Sequence, residues 1–193
     1  TSTNDRGGLS PVLAYLLNCD RTDHARAGRD AAEVFAALRA VLRAQPAVVR
    51  VRAPAKILGG VHGQLPDLLS LLHAHGFPSS HGPGGDVEVC SYVLAGDVVG
   101  GGGGAWQLET ALFAAACKVS FPARVWWVCG AGELRRRGGD SLEPGADSFD
   151  EACAAAVSGG GADGGGEALA EACRAALDWL PAAAIIGGSV LVV

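Results

Sequence analysis

Three apolar segments, each ending in a glycine-containing turn, constrain the fold of this 193-residue chain more than any other feature. "AKIL", which is predicted to be a buried strand, runs into the turn at 59–63. "VEVCSYVLA" runs into the turn at 96–102, and "ARVWWVC" into the turn at 130–133. Helical patterns separate these segments, and strands that alternate with helices are typical of an α/β domain with a largely parallel sheet. The carboxyl ends of such strands form the ligand crevice, so we expect the three turns to converge on one site.

The remaining pattern surrounds this core with helices and a terminal hairpin. Helices are predicted at 9–18, 29–45, 65–76, 105–120, 148–157 and 166–180. Asp30 is the predicted N-cap of the second of them. The segment 47–54 alternates like a strand, and 130–139 is predicted to be a loop. The final residues, 182–193, have a Gly-Gly pair between two apolar runs, which predicts a hairpin.

Composition excludes several classes of function. The net charge is −5 and the longest basic run is the arginine triplet 135–137, which favours a solvated loop over a nucleic-acid surface. No apolar stretch reaches the roughly 20 residues that span a bilayer, so we expect no membrane partner. The six cysteines form no C-x-x-C pair, which favours buried free thiols in a reducing, cytoplasmic location. The absence of methionine and the apolar run "SVLVV" at the end lead us to expect a piece of a longer protein.

The three turns resemble the signature loops of the phosphoprotein phosphatase (PPP) family of serine/threonine protein phosphatases. The family motifs are GDxHG, GDxVDRG and GNHE, and this chain has "GGVHG", "GDVVGGG" and "GAGE" in the same order. The lead-in at 45–78, "LET" at 108–110 and the segments "SFDEAC" and "WLPAAAII" look like the family as well. The resemblance covers about residues 10 to 193. The long loop that begins at Pro78 is similar to that of the Kelch-repeat-associated subgroup, although the chain has no Kelch repeats.

The resemblance implies a calcineurin-like metallophosphatase fold, a β-sheet sandwich flanked by helices. Residues 1–193 would form the N-terminal portion of a single phosphatase-like domain that is incomplete at its C-terminus. In this family two metal ions, about 3.5–4 Å apart, clamp the phosphoryl oxygens and supply a hydroxide. Their carboxylate, imidazole and amide ligands suit divalent ions of the manganese, iron or zinc type.

Residue by residue, the resemblance retains only two metal ligands in this stretch. The motif histidine is His62 and the bridging aspartate is Asp97, whereas the first aspartate falls at Gly60 and the asparagine at Ala131. The catalytic positions have also lost their side chains. The proton-donating histidine falls at Gly132, its orienting carboxylate at Gly100 and the phosphate-binding arginine at Gly101. Loss of a general acid alone costs about 10²–10⁴-fold in rate. When several groups of one cooperative site are lost together, little catalytic activity remains.

Simpler interpretations of the same residues stay open. His62 and Asp97 could each be a turn or cap residue, and His73, His75 and His81 could be isolated surface histidines or a surface metal site. Gly100–Gly104 could be a phosphate-binding loop, but it lacks the lysine and serine of that motif. "GGVHG" also partly matches the dinucleotide fingerprint.

We therefore expect a catalytically inactive phosphatase-like domain that serves as a protein-binding or structural module. The expected partners are proteins, in a larger multi-subunit assembly that could be associated with the cytoskeleton, and the ancestral two-metal cofactor is expected to be lost. The first alternative is a weak metal-dependent phosphatase that uses His62 and Asp97. The second is a nucleotide-binding α/β domain.

Overall fold

A computed structural model describes residues 24–79, 87–100, 106–137, 149, 152–154 and 165–193, with the backbone alone at 24–30 and 135–137. The predicted helix at 9–18 lies outside the described residues, as does most of the helix predicted at 148–157. Phe149 and residues 152–154 are helical.

The described chain alternates helices and short strands. The helices are α1 (His24–Arg43), α2 (Leu65–His75), α3 (Gln107–Ser120), α4 (Ala131–Arg137) and α5 (Gly165–Leu177). The strands are β1 (Val48–Val51), β2 (Ala55–Leu58), β3 (Ser91–Leu94), β4 (Val125–Trp127), β5 (Ala183–Ile186) and β6 (Val190–Val192).

The six strands form two three-stranded sheets. One sheet has the order β2-β3-β4 and is entirely parallel. The other has the order β1-β5-β6, with β1 parallel and β6 antiparallel to β5. The β5–β6 connection contains Gly187 and Gly188, both with positive φ, which suits the tight turn of a hairpin. The predicted hairpin and the parallel arrangement of the turn-bearing strands are therefore confirmed.

Two apolar clusters show that the structure has three layers, with the parallel sheet between the β1-β5-β6 sheet and the helices. Valines of β1 and residues of β5 pack against Val93 of β3 and against Val128, which directly follows β4, so the two sheets lie face to face. Tyr92 and Trp127, on the opposite face of the parallel sheet, join the larger cluster with the helices. The buried leucines of α2 recur at helical spacing, as the sequence pattern predicts. They are Leu65, Leu68, Leu69 and Leu72.

Three local predictions are wrong. The segment predicted as a loop at 130–139 contains α4, because Glu133 reaches back to the N–H of Gly130 and caps the first turn. Asp30 is not an N-cap, because α1 begins six residues earlier, at His24. Ile57, in a strand expected to be buried, is 48% exposed because β2 lies at the edge of its sheet.

The described cysteines agree with the prediction of free thiols. Cys90, Cys117, Cys129, Cys153 and Cys173 are all buried thiols outside any disulfide, and Cys19 lies outside the described residues. Burial raises the pKa of the Cys117 thiol to about 12. This thiol is therefore protonated at neutral pH and acts as a small apolar side chain.

Candidate functional site

The turns that follow β2, β3 and β4 meet at one edge of the parallel sheet, as predicted. The first and second turns are joined by two backbone hydrogen bonds of 2.9 Å, from His62 N–H to the Asp97 carbonyl and from Gly63 N–H to the Val98 carbonyl. The second and third turns are in closer contact still. A Cβ built on Gly96 would lie 2.4 Å from the Cα of Gly130, so both positions require glycine.

His62 and Asp97, the two predicted metal ligands, lie side by side at this edge. A Cβ built on Gly60 would lie 2.9 Å from the Cβ of Asp97 and 3.0 Å from Nε2 of His62. Gly60 is therefore the position where the first turn approaches both side chains. The His62 side chain is exposed, and the Asp97 side chain is half-buried and accepts a hydrogen bond from the N–H of Gly132 through Oδ1.

Both residues have a left-handed backbone, with φ of 48° at His62 and 51° at Asp97. Side-chain-bearing residues rarely adopt this conformation, although histidine and aspartate tolerate it better than most. A left-handed residue costs about 1–3 kcal/mol, and such strain clusters at functional sites. The chain therefore keeps two side chains where glycine would relieve strain, whereas the five other motif positions compared above carry glycine or alanine.

Glu133 is the centre of the hydrogen-bond network at this edge. Its side chain is only 1% exposed and it accepts hydrogen bonds from four backbone N–H groups. Oε2 accepts from Asp97 at 2.8 Å and from Gly130 at 2.9 Å, and Oε1 accepts from Val98 at 2.9 Å and from Val99 at 3.4 Å. One buried carboxylate therefore ties the second turn to the third.

Gln107 joins the first and second turns by side-chain hydrogen bonds. Its side chain, 2% exposed, accepts a hydrogen bond from Gly100 N–H at 2.9 Å and donates one to the carbonyl of His62 at 3.3 Å. It also fills the space next to Gly63, where a Cβ would lie 2.5 Å from the Gln107 amide carbon. The first turn of α3 is thus docked directly onto the site.

The metal-ligating side chains at this edge do not fit a two-metal centre. Gly60, Ala131 and Gly132 have no ligating side chain, and within the described part of the chain no three His, Cys, Asp or Glu side chains form a group that could hold a metal. His62 and Asp97 would leave most of a coordination shell to water. The assignment of these two residues as metal ligands stays a prediction, as does the loss of the metals.

Sequence reasoning missed the roles of Glu133 and Gln107. Glu133 is the last residue of "GAGE" and matches the glutamate of GNHE, but the resemblance assigns it no role. A glycine followed three residues later by glutamate is half of a capping box, and that signal predicts both α4 and the inward position of the carboxylate. The position of Gln107 depends on a contact across 45 residues, and no local pattern signals it.

Two curated phosphatases of Arabidopsis thaliana are similar to the chain in sequence. Serine/threonine-protein phosphatase BSL2, a Kelch-associated member, is 32% identical over 126 residues, which are 65% of this chain and 11% of BSL2. A serine/threonine-protein phosphatase 7 long form homolog is 40% identical over 96 residues, which are 48% of this chain and 6% of that protein. The chain therefore spans about a tenth or less of these relatives. No family model matches it.

A solved structure has the same fold. It is a protein serine/threonine phosphatase from Saccharomyces cerevisiae with similarity to human phosphatase PP5. The TM-score is 0.66, with 20% identity, over 85% of this chain and 46% of the yeast chain. The chain is thus an α/β domain with the calcineurin-like metallophosphatase fold. In sequence it is similar to serine/threonine protein phosphatases of the PPP family.

No helix in the described ranges combines the length and the apolar character needed to cross a membrane.

Proposed function

We propose that the chain is a phosphatase-like domain without turnover, retained as a protein-binding or structural module in a larger cytoplasmic assembly. The main support for this proposal is a contrast at one edge of the sheet. The hydrogen bonds that hold the turns together are present, whereas several side chains that the family uses for catalysis are absent. The buried Glu133 and Gln107 keep the three turns together. Gly60, Ala131 and Gly132 stand where the family has a metal ligand, a second ligand and the proton donor.

The missing groups account for the proposed lack of turnover. A phosphoryl transfer needs charge stabilisation on the transferring oxygens and a proton for the leaving alkoxide. The backbone N–H groups of Asp97, Val98 and Gly130, which could serve as donors, already donate to Glu133. Apart from the buried Glu133, the described residues of the three turns offer the His62 imidazole and the half-buried Asp97 carboxylate, and they include no lysine or arginine to bind a phosphate monoester.

Metal content and turnover test the proposal together. The purified 193-residue chain is analysed for bound metal by mass spectrometry and assayed with p-nitrophenyl phosphate and a phosphopeptide in the presence of Mn²⁺. We expect less than one equivalent of metal and no turnover above the chain-free blank. Two equivalents of metal, or turnover that Asp97→Ala abolishes, would contradict it.

The module role has its own test. In native extracts the tagged chain is expected to elute in an assembly larger than the chain alone, at a reproducible size. Elution as a free monomer would contradict a structural role. The location in the cytoplasm, and any association with the cytoskeleton, can be read from the same tagged chain by imaging.

A weak metal-dependent phosphatase that uses His62 and Asp97 is the second candidate. It is favoured by the two left-handed residues, which keep their side chains at a cost in backbone strain. Turnover that depends on Mn²⁺ and falls with His62→Ala as well as Asp97→Ala would support this candidate over the first.

A further inference from the structure

The carboxylate of Glu133 lies in a cage of backbone N–H groups contributed by two separate turns. Asp97, Val98 and Val99 belong to the turn after β3, and Gly130 belongs to the turn after β4. Successive N–H groups that point into one concavity form an anion-binding nest. Here the anion is a side chain of the same protein, and it is almost completely removed from solvent.

We infer that Glu133, and no metal ion, fixes the shape of the three-turn surface, so that this surface is preorganised in the metal-free protein. Hydrogen bonds to an ionised acceptor are roughly twice as strong as neutral ones. Each oxygen of Glu133 binds the second turn, and Oε2 also binds the third. The inference rests on the proposed function only in treating this surface as one that binds a partner.

The contacts around Glu133 transmit this restraint to the first turn. Glu133 holds the N–H of Asp97, and the carbonyl of the same residue accepts the N–H of His62. The Asp97 carboxylate in turn accepts the N–H of Gly132, which closes a ring between the second and third turns. Glu133 is therefore a positioning residue, which acts on the exposed His62 through Asp97.

The backbone contacts between the turns leave little room for an alternative shape. A Cβ on Gly130 would lie 2.3 Å from the N of Asp97, and a Cβ on Gly132 would lie 2.5 Å from the carbonyl oxygen of Val99. The turns can pack this closely only while each buried N–H has an acceptor, since an orphaned one is costly. Glu133 supplies that acceptor for both turns.

Amide hydrogen exchange of the full chain, resolved by residue, tests the inference. Exchange is measured in EDTA and again in excess Mn²⁺ at the amides of His62, Asp97, Val98 and Gly130. We expect strong protection in EDTA that Mn²⁺ changes by less than about twofold. Protection that develops only with Mn²⁺ would overturn the inference, and this comparison needs no variant.

Glu133→Gln separates the charge from the shape of the side chain. The amide keeps one acceptor oxygen and turns an NH₂ group toward two of the backbone donors, so we expect the protection of the nearby amides to fall about tenfold or more. Glu167→Gln, an exposed change in the first turn of α5, is the matched control and is expected to leave the same amides unchanged. Unchanged protection in a folded Glu133→Gln variant would overturn the inference.

Chemical rescue tests whether the nest of backbone N–H groups around Glu133 binds a carboxylate. In Glu133→Gly the vacated nest is expected to take up formate, which restores the lost protection, whereas chloride at the same ionic strength does not. Absence of recovery in a variant with native circular dichroism would count against the inference. Measured turnover in the phosphatase assay would overturn the proposed function and leave these exchange results as they stand.

Discussion

The backbone N–H of His62 donates a hydrogen bond of 2.9 Å to the carbonyl oxygen of Asp97, and both residues have a left-handed backbone. This bond joins the turns that follow two neighbouring parallel strands. It involves no side-chain atom, so it would survive replacement of either side chain. The geometry of the turns and the chemistry of the two side chains can therefore be tested separately.

His62→Gly is expected to leave the chain as stable as before, or to stabilise it by up to about 1.5 kcal/mol. Relief of the left-handed conformation gains about 1–2 kcal/mol, and the extra freedom of glycine in the unfolded chain offsets about 0.5–1 kcal/mol of that. Urea unfolding measures the difference. His62→Ala keeps the strain and is the matched control, so it should be less stable than His62→Gly. A wild-type chain that Mn²⁺ stabilises, with the effect lost in His62→Gly, would instead assign the imidazole to a metal.

Three glycine-to-alanine changes should separate strain from crowding. Gly96→Ala adds both strain, because φ is 82°, and crowding, because the new Cβ would meet the backbone of Gly130. We therefore expect the free energy of unfolding to fall by about 2–5 kcal/mol. Gly188→Ala adds only the strain of φ 78° and should cost about 1–2 kcal/mol. Gly59→Ala has neither problem among the described residues and should change stability by less than about 0.5 kcal/mol. Equal effects in thermal unfolding at all three positions would contradict the close approach of the turns.

The sequence predicted the elements whose signals are local and missed those that depend on distant contacts. The leucines of α2 and the Gly-Gly hairpin carry their periodicity and turn chemistry in a few residues, and both were predicted correctly. The convergence of the three turns followed from a general rule for parallel strands. Glycine at position 96 was visible, but its partner Gly130, 34 residues later, could be assigned only from the packed turns.

The residues of the candidate site also fall into two groups, those that the sequence predicts and those that depend on distant contacts. The resemblance to a family predicts which motif positions have lost their side chains, because that prediction needs only a comparison of motif sequences. The buried network of Glu133 and Gln107 requires knowledge of which backbone donors face each side chain. Helix α4 was missed for a related reason, since its first turn is stabilised by a side chain whose other partners lie in another turn.

Gly60→Asp restores the aspartate of the first family motif and is expected not to restore turnover. The new Cβ would lie 2.9 Å from that of Asp97, so the turn must shift, at a cost of about 1–3 kcal/mol. A second carboxylate beside Asp97 adds like-charge repulsion. Ala131 and Gly132, the predicted positions of the second ligand and the proton donor, would still have no functional side chain. The p-nitrophenyl phosphate assay with Mn²⁺ checks this, with Gly59→Asp as the control for added charge. Turnover in Gly60→Asp alone would show that the remaining site is intact.

Lys118 makes the stability of the fold depend on pH above neutrality. Its side chain is buried, and desolvation lowers its pKa from 10.5 to about 7. The amine donates to the carbonyls of Pro122 and Val125 at 2.8 and 2.7 Å and lies 4.2 Å from the centre of the Trp126 ring. These contacts favour the charged form and limit the desolvation effect. Because this folded-state pKa is lower than the unfolded one, the stability that Lys118 contributes is present at high pH and is lost as the pH falls toward 7.

Between pH 7 and 9 the free energy of unfolding should therefore rise by about 1–2 kcal/mol, since the unfolded chain binds the extra proton. Above pH 9 Cys117 opposes the rise, because its thiol ionises near 9 when unfolded and near 12 when folded. Urea unfolding at half-unit steps of pH measures the profile. Lys118→Met should abolish the rise, whereas Lys56→Met, which removes the only other lysine of the chain, should keep it. A wild-type profile that is flat from pH 7 to 9, or a rise that persists in Lys118→Met, would show that this buried amine keeps its proton throughout the range.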